Sequence, residues 1–195
     1  MREYFDKELT QLNDSLIEMG GLVEQAIKNT MKMIVDGEDL LDIARGHENR
    51  INEAEKSIQS RCLHLLLHQA PVAHDLRYVS AALKMITDLE RIGDQAVDIA
   101  EMSVYIKDKK QVFNLTHILE MGDNASKMVT EAIDAFVKSD IEVAKKVARQ
   151  DDIVDELFNR SKNETVELIH KNKELGSEAL DLSLIHISEP TRHLR

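Results

Sequence analysis

Apolar residues recur at alternating spacings of three and four along most of this chain, the period of helices that bury one face. From about Tyr4 to Val35 the apolar positions are Leu9, Leu12, Leu16, Met19, Val23, Ile27, Met31 and Ile34, which read as one long helix. Gly20-Gly21 interrupts it at a cost of roughly 1 kcal/mol per glycine against alanine, and is read as a close crossing by another helix. Asp36-Gly37 is a turn. A second helix runs from about Asp39 to His68, with the seam Leu41, Ala44, Glu48, Ile51, Glu55, Ile58, Cys62 and Leu65. Ala70-Pro71 breaks it, and because proline is tolerated only in a helix's first turn, a third helix starts there. Its seam is Val72, Leu76, Val79, Leu83, Ile86, Glu90, Gly93, Val97, Ala100 and Val104, ending near Lys107. Glu90 occupies a core-type position in this register, with Gly93 one turn on to leave it room.

The pattern then repeats. Leu16-Ile-Glu-Met-Gly20 returns as Ile118-Leu-Glu-Met-Gly122, and Met33-Ile-Val-Asp-Gly37 as Ala135-Phe-Val-Lys-Ser139, both at an offset of 102 residues. A repeat this long indicates a duplicated multi-helix unit rather than a short-period solenoid. The fourth helix, about Leu115 to Lys138, copies the first. Ser139-Asp-Ile-Glu142 has capping-box spacing and opens a fifth helix that runs to about Asn172. A sixth begins near Ser177 but does not complete the copy. Where a second Glu-Arg-Ile-Gly-Asp should fall, the chain reads Ser183-Leu-Ile-His-Ile-Ser-Glu-Pro-Thr-Arg192. The expected architecture is all-α, a tandem duplication of a three-helix bundle whose second repeat is truncated in its last helix. Its parts are 1–108, 115–182 and a tail, 183–195, that reads as non-native.

Composition narrows what such a bundle does. Two prolines and seven glycines among 195 residues leave little turn material, so the helices must be long. A net charge of −11 opposes binding to a phosphate backbone, and 4% aromatics removes stacking platforms for single-stranded nucleic acid. The natural partner is a cation or a basic protein surface. A lone cysteine excludes an internal disulfide and fits a reducing cytoplasm. No apolar run approaches the ~20 residues of a membrane span, and the first residues are not a secretory signal.

The chemistry concentrates in carboxylates. Glu90, Asp94, Asp98 and Glu101 form an acidic stripe on one side of the third helix. The second helix runs antiparallel to it, which sets Glu48 level with Glu90 and Asp94, with Asn52 just below and Glu55 nearer the hairpin. Asp151 and Asp155 repeat Glu48 and Asn52 at an offset of 103. Like charges so placed are unfavourable unless neutralised. Two readings stay open: an oxygen-ligand site for magnesium, manganese, iron or zinc, with His47 adjacent, or a face solvated and paired with Arg50, Arg91 and Lys84. Glu167-Leu-Ile-His170 has the Glu-x-x-His spacing of carboxylate-bridged di-metal oxidase bundles, but only one copy exists. His64, His68 and His74 are expected to cap helix ends or face solvent, and Cys62 and the methionines to fill the core. No phosphate loop or catalytic triad is present.

Gln69-Ala-Pro-Val-Ala-His-Asp-Leu-Arg77, Glu90-Arg-Ile-Gly-Asp94 with its Asp98-Ile-Ala-Glu101 extension, and the tandem repeat resemble the PhoU family of bacterial phosphate-transport accessory regulators. The resemblance covers roughly residues 1–182. It implies a cytoplasmic, often homodimeric, non-enzymatic protein that binds divalent or trivalent metal ions through acidic motifs. It also implies restraint of the phosphate-starvation response, through contacts with the phosphate transporter ATPase subunit and a sensor histidine kinase, with the membrane reached only through these partners. Carried over by position, the metal residues are Glu48, Asn52, Glu90, Asp94 and Asp98 in the first repeat, and Asp151 and Asp155 in the second. Asn52 departs from a full acid pair, and the helix-six motif is missing.

Overall fold

The computed structural model describes residues 2–68, 72–105 and 115–171. These form five helices and no strand: α1 (Arg2–Val35), α2 (Leu41–His68), α3 (Ala73–Tyr105), α4 (Leu115–Lys138) and α5 (Ile141–Lys171). The sixth helix and the 183–195 tail lie outside the described residues, as does Pro71. No described helix is long and apolar enough to cross a membrane.

α1, α2 and α3 pack on one another as a three-helix unit, and the α4–α5 hairpin joins it through α4 against α1. α1 is therefore central, and its buried residues cover more than one face: Leu12, Leu16, Met19 and Val23 are fully buried, with Leu22, Ala26 and Ile27 beside them. One apolar core runs from these through Ile51, Ile58, Cys62, Leu65, Val79, Ala82 and Ile86 to Val129 and Ile133 of α4. Polar links pin α3 in place. The Thr30 hydroxyl donates to the Ala96 carbonyl at 2.7 Å, and the Tyr78 hydroxyl donates to Asn13 Oδ1 at 2.6 Å. The Tyr78 ring also stacks on Phe136 of α4 at 4.4 Å. Cys62 is buried as expected, and burial pushes its thiol up to about 11.

The duplication is visible as geometry. A Cβ at Gly20 would overlap the Ile133 side chain, and one at Gly122 would overlap Met31. Positions 20 and 122, like 31 and 133, are 102 apart, so the α1–α4 crossing is made twice by equivalent residues. The close crossing expected at Gly20-Gly21 belongs to Gly20 alone, since open space surrounds Gly21. Gly37 (φ 71°) and Ser139 (φ 54°), again 102 apart, both adopt the left-handed conformation that ends a helix. Beyond that turn the offset becomes 103: buried Ala44, Ile51, Ile58 and Cys62 correspond to buried Val147, Val154, Ser161 and Thr165.

Two local expectations are corrected. Ser139 does not cap α5; it closes α4, donating its N–H to Phe136 O while Asp140 N donates to Ala135 O, a Schellman arrangement. Asp140 is the cap, its Oδ1 accepting from the N–H groups of Glu142 and Val143 at 3.0 Å each. The seam of α3 holds at Val79, Ile86, Gly93, Val97 and Ala100 but is displaced by one residue elsewhere: Asp75, Ala82, Leu89, Ala96 and Ser103 are buried, whereas Val72, Leu76 and Val104 are exposed. Leu89 thus takes the core position and Glu90 lies half-buried on its flank. Gly93 admits α2 rather than the carboxylate: a Cβ there would stand 2.7 Å from Ile51 Cδ1.

Candidate metal centre

The shared flank of α2 and α3 carries the acids. On α2 the buried residues Ala44, Ile51 and Ile58 face the core, and Glu48, Asn52 and Glu55 sit half-buried beside them. On α3, Glu90, Asp94 and Glu101 are likewise half-buried and Asp98 is exposed. The antiparallel hairpin brings the two rows together, as the electrostatics record. The Glu48 carboxyl is held above its usual range by burial first, then by the negative charges of Asp94, Asp98 and Glu101, with Arg45 opposing. Glu90 is raised by burial, then by the charges of Asp94 and Glu55 and by the hydrogen bond to Asp94, one turn along the helix, with Arg91 opposing. Asp94 is raised by burial and by Asp98, against the hydrogen bond from Glu90, which pulls it down.

Cations do not balance this face. Arg45 is engaged with Glu101, its Nη2 and Nε donating to Oε1 at 2.7 and 3.0 Å. Arg50 and Arg91, the arginines expected to neutralise the stripe, are exposed and form no ion pair with it. Among the described residues, Glu48, Glu90, Asp94 and Asp98 make no ion pair at all. Asn52 Oδ1, Asp94 Oδ1, Gln95 Oε1 and His47 Nδ1 are buried atoms without a hydrogen-bond partner, and burial lowers the His47 pKa.

These observations test the fit of a metal. The donor set, carboxylate and amide oxygens with one imidazole nitrogen, suits a hard or borderline cation. The orphaned oxygens and raised carboxyls are what a positive charge would relieve. Among the described residues, no three His, Cys, Asp or Glu side chains converge closely enough to hold an ion. Bare carboxylates repel, which keeps these side chains apart. Glu48, Asn52, Glu90 and Asp94 line this face half-buried, with Asp98 exposed at its rim.

In the second repeat Asp151 and Asp155 are half-buried on the equivalent face of α5, and the helix that would face them lies outside the described residues. Glu55, Glu101, Arg45 and Gln95 belong to the first site but are not in its expected ligand set. Arg45 was legible, since it precedes Glu48 by three residues on the same helix face. Glu167 and His170 are both exposed, as are His64 and His74.

Relatives share this architecture. The PhoU domain profile matches residues 16–103 and 118–194, one match for each repeat. A phosphate-specific transport system accessory protein PhoU homolog from Clostridium acetobutylicum is 31% identical over 174 residues, spanning 88% of this chain and 80% of that protein. The homolog of the same name from Pseudomonas aeruginosa is 29% identical over 199 residues, 98% of this chain and 82% of that one. The crystal structure of PhoU from Pseudomonas aeruginosa superimposes with a TM-score of 0.86 at 30% identity, covering 96% of this chain and 93% of that chain. PhoU from Streptococcus pneumoniae shares the fold at a TM-score of 0.81 and 23% identity, covering 94% and 86%. With paired α1–α4 crossings and a family match on each repeat, the chain belongs to the PhoU domain family.

Proposed function

We propose that this protein is a cytoplasmic, metal-binding regulator of phosphate transport and of phosphate-starvation signalling, acting as a homodimer through protein–protein contacts and without catalysis. Its partners in this reading are the phosphate transporter's ATPase subunit and a sensor histidine kinase, and it reaches the membrane only through them. Support for the transport role comes from relatives named as phosphate-specific transport accessory proteins. The observation that supports the metal role is the half-buried acidic face of Glu48, Glu90 and Asp94, which makes no ion pair among the described residues and holds the buried, unpartnered oxygens Asn52 Oδ1 and Asp94 Oδ1. An ion held there, iron, zinc, magnesium or manganese, would draw α2 and α3 into one rigid surface for partners. Glu167 and His170 face solvent, so nothing favours an oxidase-type di-metal centre.

Calorimetric titration with each ion, and metal analysis of the purified protein, test the metal role. Glu90→Gln combined with Asp94→Asn is expected to weaken binding at least tenfold while leaving helicity unchanged. An affinity unaltered by that pair, or no affinity for any of the four ions, refutes it. Binding of the purified ATPase subunit and kinase, with and without metal, tests the partner role.

A further inference from the structure

One cation reaches across the acidic face from α2 to α3. Arg45 lies three residues before Glu48 on α2, and its Nη2 and Nε donate to Glu101 Oε1 at 2.7 and 3.0 Å. Beside it the helices meet through apolar contacts, buried Ala44 packing with Val97 and Ala100, which sets the arginine at the end of the acidic row. Both side chains of the pair stay open to water, 52 and 42% exposed. A pair so exposed adds little to stability, so the buried contacts, not this one, join α2 to α3. The charge of Arg45 is nevertheless felt along the row. It draws the Glu48 carboxyl down, against burial and three neighbouring acids. The guanidinium is itself held charged by Glu101 first, with Asp42 and Glu48 adding to it. The second repeat is built without this residue: at the offset of 103 that relates Glu48 to Asp151, the counterpart of Arg45 is Ala148. The repeated helix does not need the arginine in order to fold.

We propose that Arg45 is the resident counter-charge of the first acidic face, a fixed competitor against which an arriving metal ion must work, and that it limits how tightly the face binds and which ionic charge it favours. The inference rests on the metal reading above and names what regulates that site. Glu101 keeps the guanidinium at the end of the row, where it screens the last acid and leaves Glu48, Glu90 and Asp94 without an ion pair. A positive charge fixed there repels any cation entering the face, and the repulsion grows in proportion to that cation's charge.

Calorimetric titration of the full chain with Mn²⁺ and with Tb³⁺, a divalent and a trivalent hard cation, tests this. Arg45→Gln is expected to bind Mn²⁺ roughly fivefold and Tb³⁺ roughly tenfold more tightly than the unaltered protein. Both gains should shrink in concentrated sodium chloride, which screens exposed charges. Arg45→Lys keeps the charge while losing the paired bonds, and is expected to match the unaltered protein. Glu101→Gln alone is expected to weaken binding, because it removes a negative charge and releases the guanidinium towards Glu48. Combined with Arg45→Gln it removes one charge of each sign, and the unaltered affinity is expected to return. If the unaltered protein and every variant bind neither ion, the metal reading and this inference fall together. If the unaltered protein binds and Arg45→Gln binds no more tightly, or gains equally for both ions, only this inference falls. A double variant that binds more weakly than the unaltered protein makes Glu101 a ligand that Arg45 positions, and overturns it as well.

Discussion

A one-residue rotation separates Leu89, 4% exposed, from Glu90, which lies half-buried beside it. That difference decides how the acids behave. On the flank, burial and the neighbouring acids raise the Glu90 carboxyl above its usual range. A carboxyl whose folded-state pKa lies above its unfolded value binds its proton more tightly in the folded protein. Its contribution to stability is therefore present at low pH and lost as pH rises past the unfolded value near 4, towards the raised one. Glu48, Glu90 and Asp94 all lie on that side. With chelator present, urea unfolding is expected to show Glu90→Gln/Asp94→Asn gaining stability on the unaltered protein as pH is raised from 4.5 to 7. Adding the cognate ion should reverse the order at pH 7. Parallel pH profiles for the two proteins would contradict this account. The acids were legible because they interrupt an apolar period. The side on which they lie was not, since a seam of spacings three and four tolerates rotation by one position until neighbours such as Ile51 at Gly93 fix it.

Helix ends and crossings answer to different rules. Ser139 holds φ at 54° with a side chain that disfavours it, whereas its counterpart Gly37 does so freely. Ser139→Gly is expected to stabilise by about 0.5–1 kcal/mol in urea unfolding, and Gly37→Ala to destabilise by about 1 kcal/mol or more. Asp140→Ala removes the oxygen that caps α5 and is expected to cost about 1 kcal/mol. At the crossing, alanine gains roughly 1 kcal/mol of helix propensity over glycine. Gly21→Ala, in open space, should keep that gain. Gly20→Ala must displace the buried Ile133 and should lose it, for a net destabilisation of about 1 kcal/mol. A Gly20→Ala protein as stable as Gly21→Ala would mean that the two helices separate without cost. The boundaries of α4 were readable to the residue from Leu115 and Lys138. The cap was misplaced by one because Ser139 and Asp140 are both good cap residues, and only the chain's turn out of α4 chooses between them.

For the molecule as a whole, the duplication was legible from short matches such as Glu18-Met-Gly20 and Glu120-Met-Gly122, because crossing and turn residues have few substitutes. The second repeat's facing helix lies outside the described residues. Asp151 and Asp155 consequently have no described counterpart for Glu90 and Asp94, and ion stoichiometry is expected to be set by the first repeat. Asp151→Asn with Asp155→Asn should leave the tightest binding event unchanged in calorimetric titration, whereas Glu90→Gln/Asp94→Asn should remove it. The Gly20–Ile133 and Gly122–Met31 contacts have a wider consequence. Residue i meets residue j, and j's equivalent meets i's, which is the form of an isologous surface between identical subunits. Here that surface is internal to one polypeptide. One polypeptide thus holds the self-complementary contact that two separate copies of such a unit would otherwise have to find by association, so its strength does not depend on protein concentration.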